Sequence, residues 1–449
     1  MPTTGPKTAS YGAWKSPITS DLIVAQAITL SEVRLDEGTI YWLEGRPQER
    51  GRSVVVRAGA GGGDDVDVTP APFNARTRVH EYGGGAWLVD KGVLYFSNFA
   101  DGRLYRLEAG GAEPQPLTPE PSGQSGGWRF ADGIIDGSRN RWIGLREDHT
   151  AGGEPVNAIV AVDLADKGGE PGSILVGGHD FFSSPRLSPD GRRLIWLAWD
   201  HPNMPWNGTI LYLAELDDAG AVSGEPEIIA GGPDESIFQP EWSPDGNAVI
   251  FVSDRSDWWN LYRFELATRE SRPIVPMAAE FGAPQWVFGM STYAFAGPER
   301  IVCTYSEAGL WRLGAVDLAT GILNTLETPF TQFASVRADG ERVVAIAGAP
   351  SLPASVVEFD LGTGRHRILK KATDILDQTD LGIAAYLSPV EAVEFPTTGG
   401  NTGFGLYYGP KNPDYGGTVG EKPPLLVKVH GGPTSAASST LNLGIHYWT

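Results

Sequence analysis

The sequence predicts a mostly β chain: a seven-bladed β-propeller, followed by the first strands of a second domain of α/β type. Three observations predict it. Gly is 58 and Pro 34 of 449 residues, about 13% and 8% against background usage of roughly 7% and 5%. At that density they interrupt long helices, at about 1 and 3 kcal/mol each. Second, 41% of residues are hydrophobic and 10% aromatic, enough to bury a sizeable core. Third, a turn containing Gly and mostly Asp, followed by a short β-rich run, recurs at regular intervals.

The recurrences run in order along the chain. Asp36-Glu37-Gly38 precedes Thr39-Ile40-Tyr41-Trp42, and Asp90-Lys91-Gly92 precedes Val93-Leu94-Tyr95-Phe96. Asp136-Gly137 precedes Trp142-Ile143, Asp190-Gly191 precedes Leu194-Ile195-Trp196, and Asp245-Gly246 precedes Val249-Ile250-Phe251-Val252. A degenerate copy, Gly297-Pro298-Glu299-Arg300, precedes Ile301-Val302, and Asp339-Gly340 precedes Val343-Val344-Ala345-Ile346. The seven glycines lie 43 to 55 residues apart, the length of a four-stranded blade. Asp bonds its own backbone in such turns while Gly accepts positive φ, which is hairpin chemistry. Further β runs, such as Ser53–Arg57, Leu104–Leu107, Ile210–Leu213 and Leu261–Phe264, occupy a later slot of the unit. One blade cannot bury both of its faces, so stacking seven in a ring is the physical solution. The propeller is assigned to residues 31–384, after an N-terminal extension, 1–30.

The pattern breaks near residue 385. Pro389–Pro396 and Gly403–Pro410 alternate like half-buried antiparallel strands. Pro423–His430 is nearly continuously apolar, as expected of a strand covered on both faces. Residues 385–449 therefore read as the opening of a second domain.

The formal charge of −20, from 35 Lys+Arg against 55 Asp+Glu, repels phosphate backbones and anionic membrane surfaces, so neither nucleic acid nor membrane is expected as a partner. A single cysteine, Cys303, excludes an intrachain disulfide and a cysteine-rich zinc site, and its apolar run reads as a buried strand. No apolar leader opens the chain and no run approaches 18 apolar residues. A reducing, cytoplasmic setting is the expectation.

His430-Gly431-Gly432-Pro433 directly follows the apolar run. Paired glycines at the mouth of an α/β sheet let backbone N–H groups approach a ligand, as in oxyanion-hole loops, although an ordinary Gly-Gly-Pro turn reads the same way. From Pro423 to Thr449 the chain resembles the opening of the catalytic domain in the prolyl oligopeptidase family of serine peptidases, closest to its acylaminoacyl-peptidase and dipeptidyl-aminopeptidase-like branch. Two propeller stretches share the resemblance, Glu235–Gly246 and Ser253–Tyr262. It implies an α/β-hydrolase domain with a Ser-Asp-His triad, a propeller gating access for short peptide substrates, and no cofactor. By position, Gly432 matches the glycine whose backbone N–H helps form the oxyanion hole. Acidic propeller residues hold the substrate's amine in some members, and Glu81 and Glu235 are the candidate counterparts, because a carboxylate pairs naturally with an ammonium. Homo-oligomers are compatible with the resemblance.

No triad residue matches within the 449 residues, so the chain is expected to be an incomplete α/β-hydrolase whose nucleophile lies past Thr449. The literal elbow match Gly123-Gln124-Ser125-Gly126-Gly127 is rejected, because no hydrophobic strand precedes it, no helix follows it, and it lies upstream of the oxyanion loop. His80-Glu81-Tyr82-Gly83-Gly84-Gly85 begins like a zinc helix, but Gly84 stands where the second histidine belongs and three glycines oppose a helix. Gly59–Gly63 lack the Lys-Ser/Thr of a phosphate loop. No metal site is expected. Two other readings compete with the peptidase: a non-catalytic propeller binding peptides or proteins, and, more weakly, a tunnel-metal hydrolase such as a lactonase.

Overall fold

The computed structural model describes residues 5–24, 27–121, 127–165, 168–377, 382–432 and 434–449. Its frame is a ring of seven four-stranded antiparallel sheets, each built from four strands consecutive in sequence. The innermost strands are Thr29–Asp36, Trp87–Asp90, Trp128–Asp136, Phe181–Leu187, Ile237–Trp242, Tyr293–Phe295 and Gln332–Asp339, opening blades 1 to 7 in that order. The last blade strand is His366–Lys371.

All seven glycines of the repeat fall in the turn between a blade's first and second strands. In the two Ser-Pro-Asp-Gly copies the reason for the motif is visible. Asp190 Oδ1 accepts from Ser188 Oγ (2.6 Å) and the Arg192 N–H (3.0 Å), and Ser188 Oγ accepts from the Arg193 N–H (2.9 Å). Ser243, Asp245, Asn247 and Ala248 repeat the arrangement in blade 5. Each serine and aspartate satisfies backbone donors that the tight turn leaves unpaired.

The alternation of side chains along each strand builds seven separate cores, one at each junction between neighbouring blades. Ile195, Leu197 and Leu211 face Val249, Phe251 and Tyr262 of blade 5, while Leu194, Trp196 and Ala214 face Ala131, Ile143 and Leu145 of blade 3. Cys303 is buried in the core between blades 5 and 6, where burial pushes its thiol pKa up, as expected of an inert strand position.

Blades 1 and 7 share no strand, so packing closes the ring. Val33, Ile40, Trp42, Val54 and Val56 pack on Val344, Ile346 and Val356, and the Val33 N–H donates to Ser335 Oγ at 2.7 Å. That bond belongs to a wider device. Five inner strands carry a bulge whose central residue has positive φ: Glu32, Asp132, Ser184, Gln239 and Ser335. Four of these side chains accept from a backbone N–H of the following blade, the others being Gly85 to Glu32 (3.0 Å), Ser184 to Asp132 (2.6 Å) and Thr292 to Gln239 (2.7 Å). The bulges thus bind blade to blade around the axis.

The N-terminal segment does not pack as part of a blade. Lys7–Thr8 pairs in parallel with Tyr415–Gly416, and Ile18 lies in a small core with Ile375, Ile383 and Leu387, joined by Leu441 and Leu443. A hairpin, Val390–Pro396 with Thr402–Tyr408, forms where the two alternating runs are expected. The expected strand over Pro423–His430 is absent: residues 421–430 carry no strand, and Leu425, Leu426, Val427 and Val429 are exposed. A strand requires a partner for its backbone groups, and none of the described strands offers one here.

Candidate functional site

Residues 439–441 dock on one end of the propeller. Ser439 Oγ and Thr331 Oγ1 lie 2.8 Å apart, and the Leu441 N–H donates to Ala349 O at 2.8 Å. On the same end, the loop leaving blade 5 carries Trp286 to within van der Waals distance of Gly432, where a Cβ built on that glycine would lie 3.6 Å from the indole. Gly432 has φ +69°, so its N–H is presented by a left-handed turn.

Beside it runs the His80–Gly85 segment, which is a turn and not a helix. Five of its six residues have positive φ, including His80 (51°) and Glu81 (67°), which are not glycines. Such conformations cost about 1–3 kcal/mol each and persist only where the surroundings enforce them. Here the enforcement is explicit. The Phe288 N–H donates to Gly83 O at 2.9 Å, and Gly84 bridges Phe288 so closely that a Cβ would lie 2.4 Å from Phe288 O. The His80 ring is packed among Phe288, Phe181 and Trp199, with centroids 4.9, 5.0 and 5.6 Å away. Burial pushes its pKa down to about 4, so it is neutral at neutral pH and serves as a wedge.

The turn presents Glu81 outward, its side chain 75% exposed, with Arg129 Nη1 3.1 Å from its Oε1. The same guanidinium nitrogen donates to the buried Glu147 (3.0 Å) and to Arg78 O (2.9 Å), and Glu147 also accepts from the His80 N–H (3.0 Å). Arg129 is therefore shared between two carboxylates, which leaves Glu81 free to take a second cation. Tyr82, next in the chain, meets Trp286 edge to face at 5.2 Å, and Trp286 stacks obliquely on Trp206 at 4.2 Å.

Glu235 is placed differently. It accepts from Ser253 Oγ (2.6 Å) and Arg255 Nε (2.8 Å), and no contact joins it to Glu81 among the described residues. Its charge is already matched by Arg255, which stacks over Tyr262. Residues 123–126 of the elbow-like match lie outside the described residues, as does Pro433. No group of three or more metal-ligating side chains gathers among the described residues, and no described helix is long and apolar enough to cross a membrane.

The inner strands carry a second polar region, which the sequence reading missed. Past the bulges stand Arg34, Arg186, Glu241 and Arg337. Arg186 pairs with Glu241 (3.0 Å) and Asp132 (3.5 Å). Burial pushes the Glu32 carboxyl up to about 7 against the pull of Arg34, and burial also lowers Arg337 to about 9. The available signal was the polar residue at each bulge, which is unusual for an inner strand. Arg129, Glu147, Trp206 and Trp286 gave no motif at all.

One end of the propeller thus presents a glycine turn and an exposed carboxylate, and comparison with known structures places the chain in a family. No protein-family profile and no curated protein matches the chain. Among solved structures, a puromycin hydrolase matches with 36% identity and a TM-score of 0.90, over 98% of this chain and 68% of that one. A Mycobacterium tuberculosis puromycin-hydrolyzing peptidase matches to the same extent. Prolyl oligopeptidase B from Galerina marginata shares the fold, with a TM-score of 0.58 and 15% identity over 85% of this chain and 55% of that one. The chain belongs to the prolyl oligopeptidase family of serine peptidases.

Proposed function

We propose that this protein hydrolyses short peptides and aminoacyl amides bearing a free N-terminal amine, with the propeller restricting access to the site. The observation that carries the reading is the strained turn that holds Glu81 exposed on the end of the propeller where Gly432 lies. A carboxylate so placed takes the substrate ammonium, in a charge-assisted hydrogen bond stronger than a neutral one. In the family a serine attacks the carbonyl, and negative charge develops on its oxygen. The Gly432 N–H donates to that oxygen, a contribution of roughly 3–4 kcal/mol for an oxyanion donor. Puromycin, cleaved by the similar proteins, is itself an aminoacyl amide with a free α-amine, which supports the choice of substrate class. Restricted access is supported by the buried arginine and glutamate side chains of the inner strands, which face one another across blades, and a reducing, cytoplasmic setting by the single buried thiol.

The test uses the full gene product and aminoacyl 4-nitroanilides with free or acetylated amines. The expected result is at least a hundredfold preference in kcat/KM for the free amine, falling at least tenfold in Glu81→Gln. Equal turnover of acetylated and free substrates, or an unchanged preference in Glu81→Gln, would overturn the proposal. Labelling by a fluorophosphonate separates it from a non-catalytic propeller, which would remain unlabelled.

A further inference from the structure

The turn that carries Glu81 is tied down where it ends, and the tie is Glu32. Glu32 is the bulge residue of the first blade's inner strand, with φ +48°. Its Oε1 accepts from the Gly85 N–H at 3.0 Å, where the turn runs into the inner strand of blade 2. Its Oε2 is buried and accepts no hydrogen bond among the described residues. A Cβ built on Gly289 would lie 2.9 Å from that oxygen and 3.2 Å from the Gly85 nitrogen. The carboxyl is therefore wedged between Gly85 and Gly289, the residue after Phe288, which itself grips Gly83 and Gly84.

Gly85 is held from the other side as well. Its carbonyl accepts from the Asp132 N–H of blade 3 at 2.8 Å, and a Cβ on it would lie 2.7 Å from that of Phe288. Arg34, two residues after Glu32 on the same strand, lays its guanidinium over Trp87, 5.6 Å from the ring centroid. Blade 1 thus holds both the last residue of the turn and the start of the strand that follows. The charged groups facing Glu32 are Arg34 on its own strand, Arg337 from blade 7 and Asp132 from blade 3, and Arg186 and Glu241 act on Arg34 in turn. Burial outweighs the two arginines and pushes the Glu32 carboxyl up to about 7, so it changes charge within the neutral range.

We infer that Glu32 is a positioning residue for amine recognition: it fixes the exit of the 80–85 turn and, through that turn, the placement of Glu81. The inference rests on the reading of Glu81 given above. Glu32 acts through backbone alone. Between His80 and Gly85 only Tyr82 lies outside the left-handed region, and a run so strained keeps its shape only while its anchors hold. An ionised carboxylate accepts the Gly85 N–H in a charge-assisted bond, and a protonated one in a weaker, neutral bond. The hold therefore tightens as pH rises through about 7 and slackens below it.

The experiment measures kcat and KM between pH 6 and 8.5 for an aminoacyl 4-nitroanilide with a free amine and for its acetylated form. The proteins are the full gene product, Glu32→Ala and Glu32→Gln, the last keeping both the shape and an acceptor for Gly85. KM for the free amine is expected to rise at least fivefold in Glu32→Ala and less in Glu32→Gln, with kcat and the acetylated substrate within twofold of wild type. A purely structural loss would instead lower kcat on both substrates together, and that result would overturn the inference. The substrate's own amine titrates at about 7.7–8.0 in every protein, so the signature of Glu32 is a ratio between proteins. The KM of Glu32→Gln relative to wild type should grow as pH rises through about 7, and a flat ratio would contradict the role. In a Glu81→Gln background, Glu32→Ala should add less than twofold, because the two act on one contact, and additive effects would likewise contradict it. A free-amine preference that Glu81→Gln removes and neither Glu32 variant alters overturns the positioning role alone. If the wild type cleaves free and acetylated substrates equally, the Glu81 reading fails and the positioning role falls with it.

Discussion

His80 and Glu81 are neighbours with opposite fates. Both take up left-handed backbone, yet one is sunk among three aromatic rings and the other projects into solvent. The burial of His80 has a consequence for stability. Its pKa in the folded chain is about 4, against an ordinary value of 6.5, so between those values the unfolded chain binds the proton and the folded chain does not. The stability associated with neutral His80 is therefore complete above pH 6.5 and is lost progressively as pH falls towards 4. Denaturation midpoints should show this as a drop over that window, and His80→Phe, which fills the same aromatic setting, should flatten it. Parallel pH curves for the two proteins would refute the assignment. At this scale the sequence singled out Glu81 and Gly432 as candidates, through chemistry and resemblance. Arg129, Glu147 and Trp286 acquire their roles only through contacts between distant segments, which no local pattern encodes.

The glycine-rich turn at residues 83–85 is the element on which the site depends. Gly84 has φ +84°, and a Cβ there would lie 2.4 Å from Phe288 O and 2.8 Å from its nitrogen, both backbone atoms that cannot swing away. Gly84→Ala should destabilise the chain by at least about 2 kcal/mol, from strain and overpacking together. Gly137→Ala, in open space and without positive φ, should change stability by less than about 0.5 kcal/mol. Urea denaturation of the two variants checks the contrast, and equal effects would mean that the turn is not held as described. The hairpin turns were legible because Asp-Gly chemistry is local and repeats. The bulges were not, because Glu32, Asp132, Ser184, Gln239 and Ser335 share only polarity and a position in the register. The run over Pro423–His430 reads as a strand by composition, but composition cannot supply the partner that a strand requires.

Across the whole molecule, seven inter-blade cores, with bulge side-chain hydrogen bonds at four of the junctions, hold a propeller whose first and last blades share no strand. The seven blades were readable from the spacing of the turn glycines. The docking of the N-terminal segment against Tyr415–Gly416 and the core around Ile383 was not, since it joins residues some 400 positions apart. This architecture sets the glycine turn and the exposed carboxylate on one end of the ring, and their joint action on a single aminoacyl group is the central proposal. The most direct measurement is a crystal structure of the full gene product bound to the boronic acid analogue of phenylalanine, whose tetrahedral boron mimics the attacked carbonyl. The account predicts the ammonium within hydrogen-bond distance of Glu81 and a boronate oxygen against the Gly432 N–H. An analogue bound with its ammonium away from Glu81, or with no boronate oxygen near the Gly432 N–H, would contradict it.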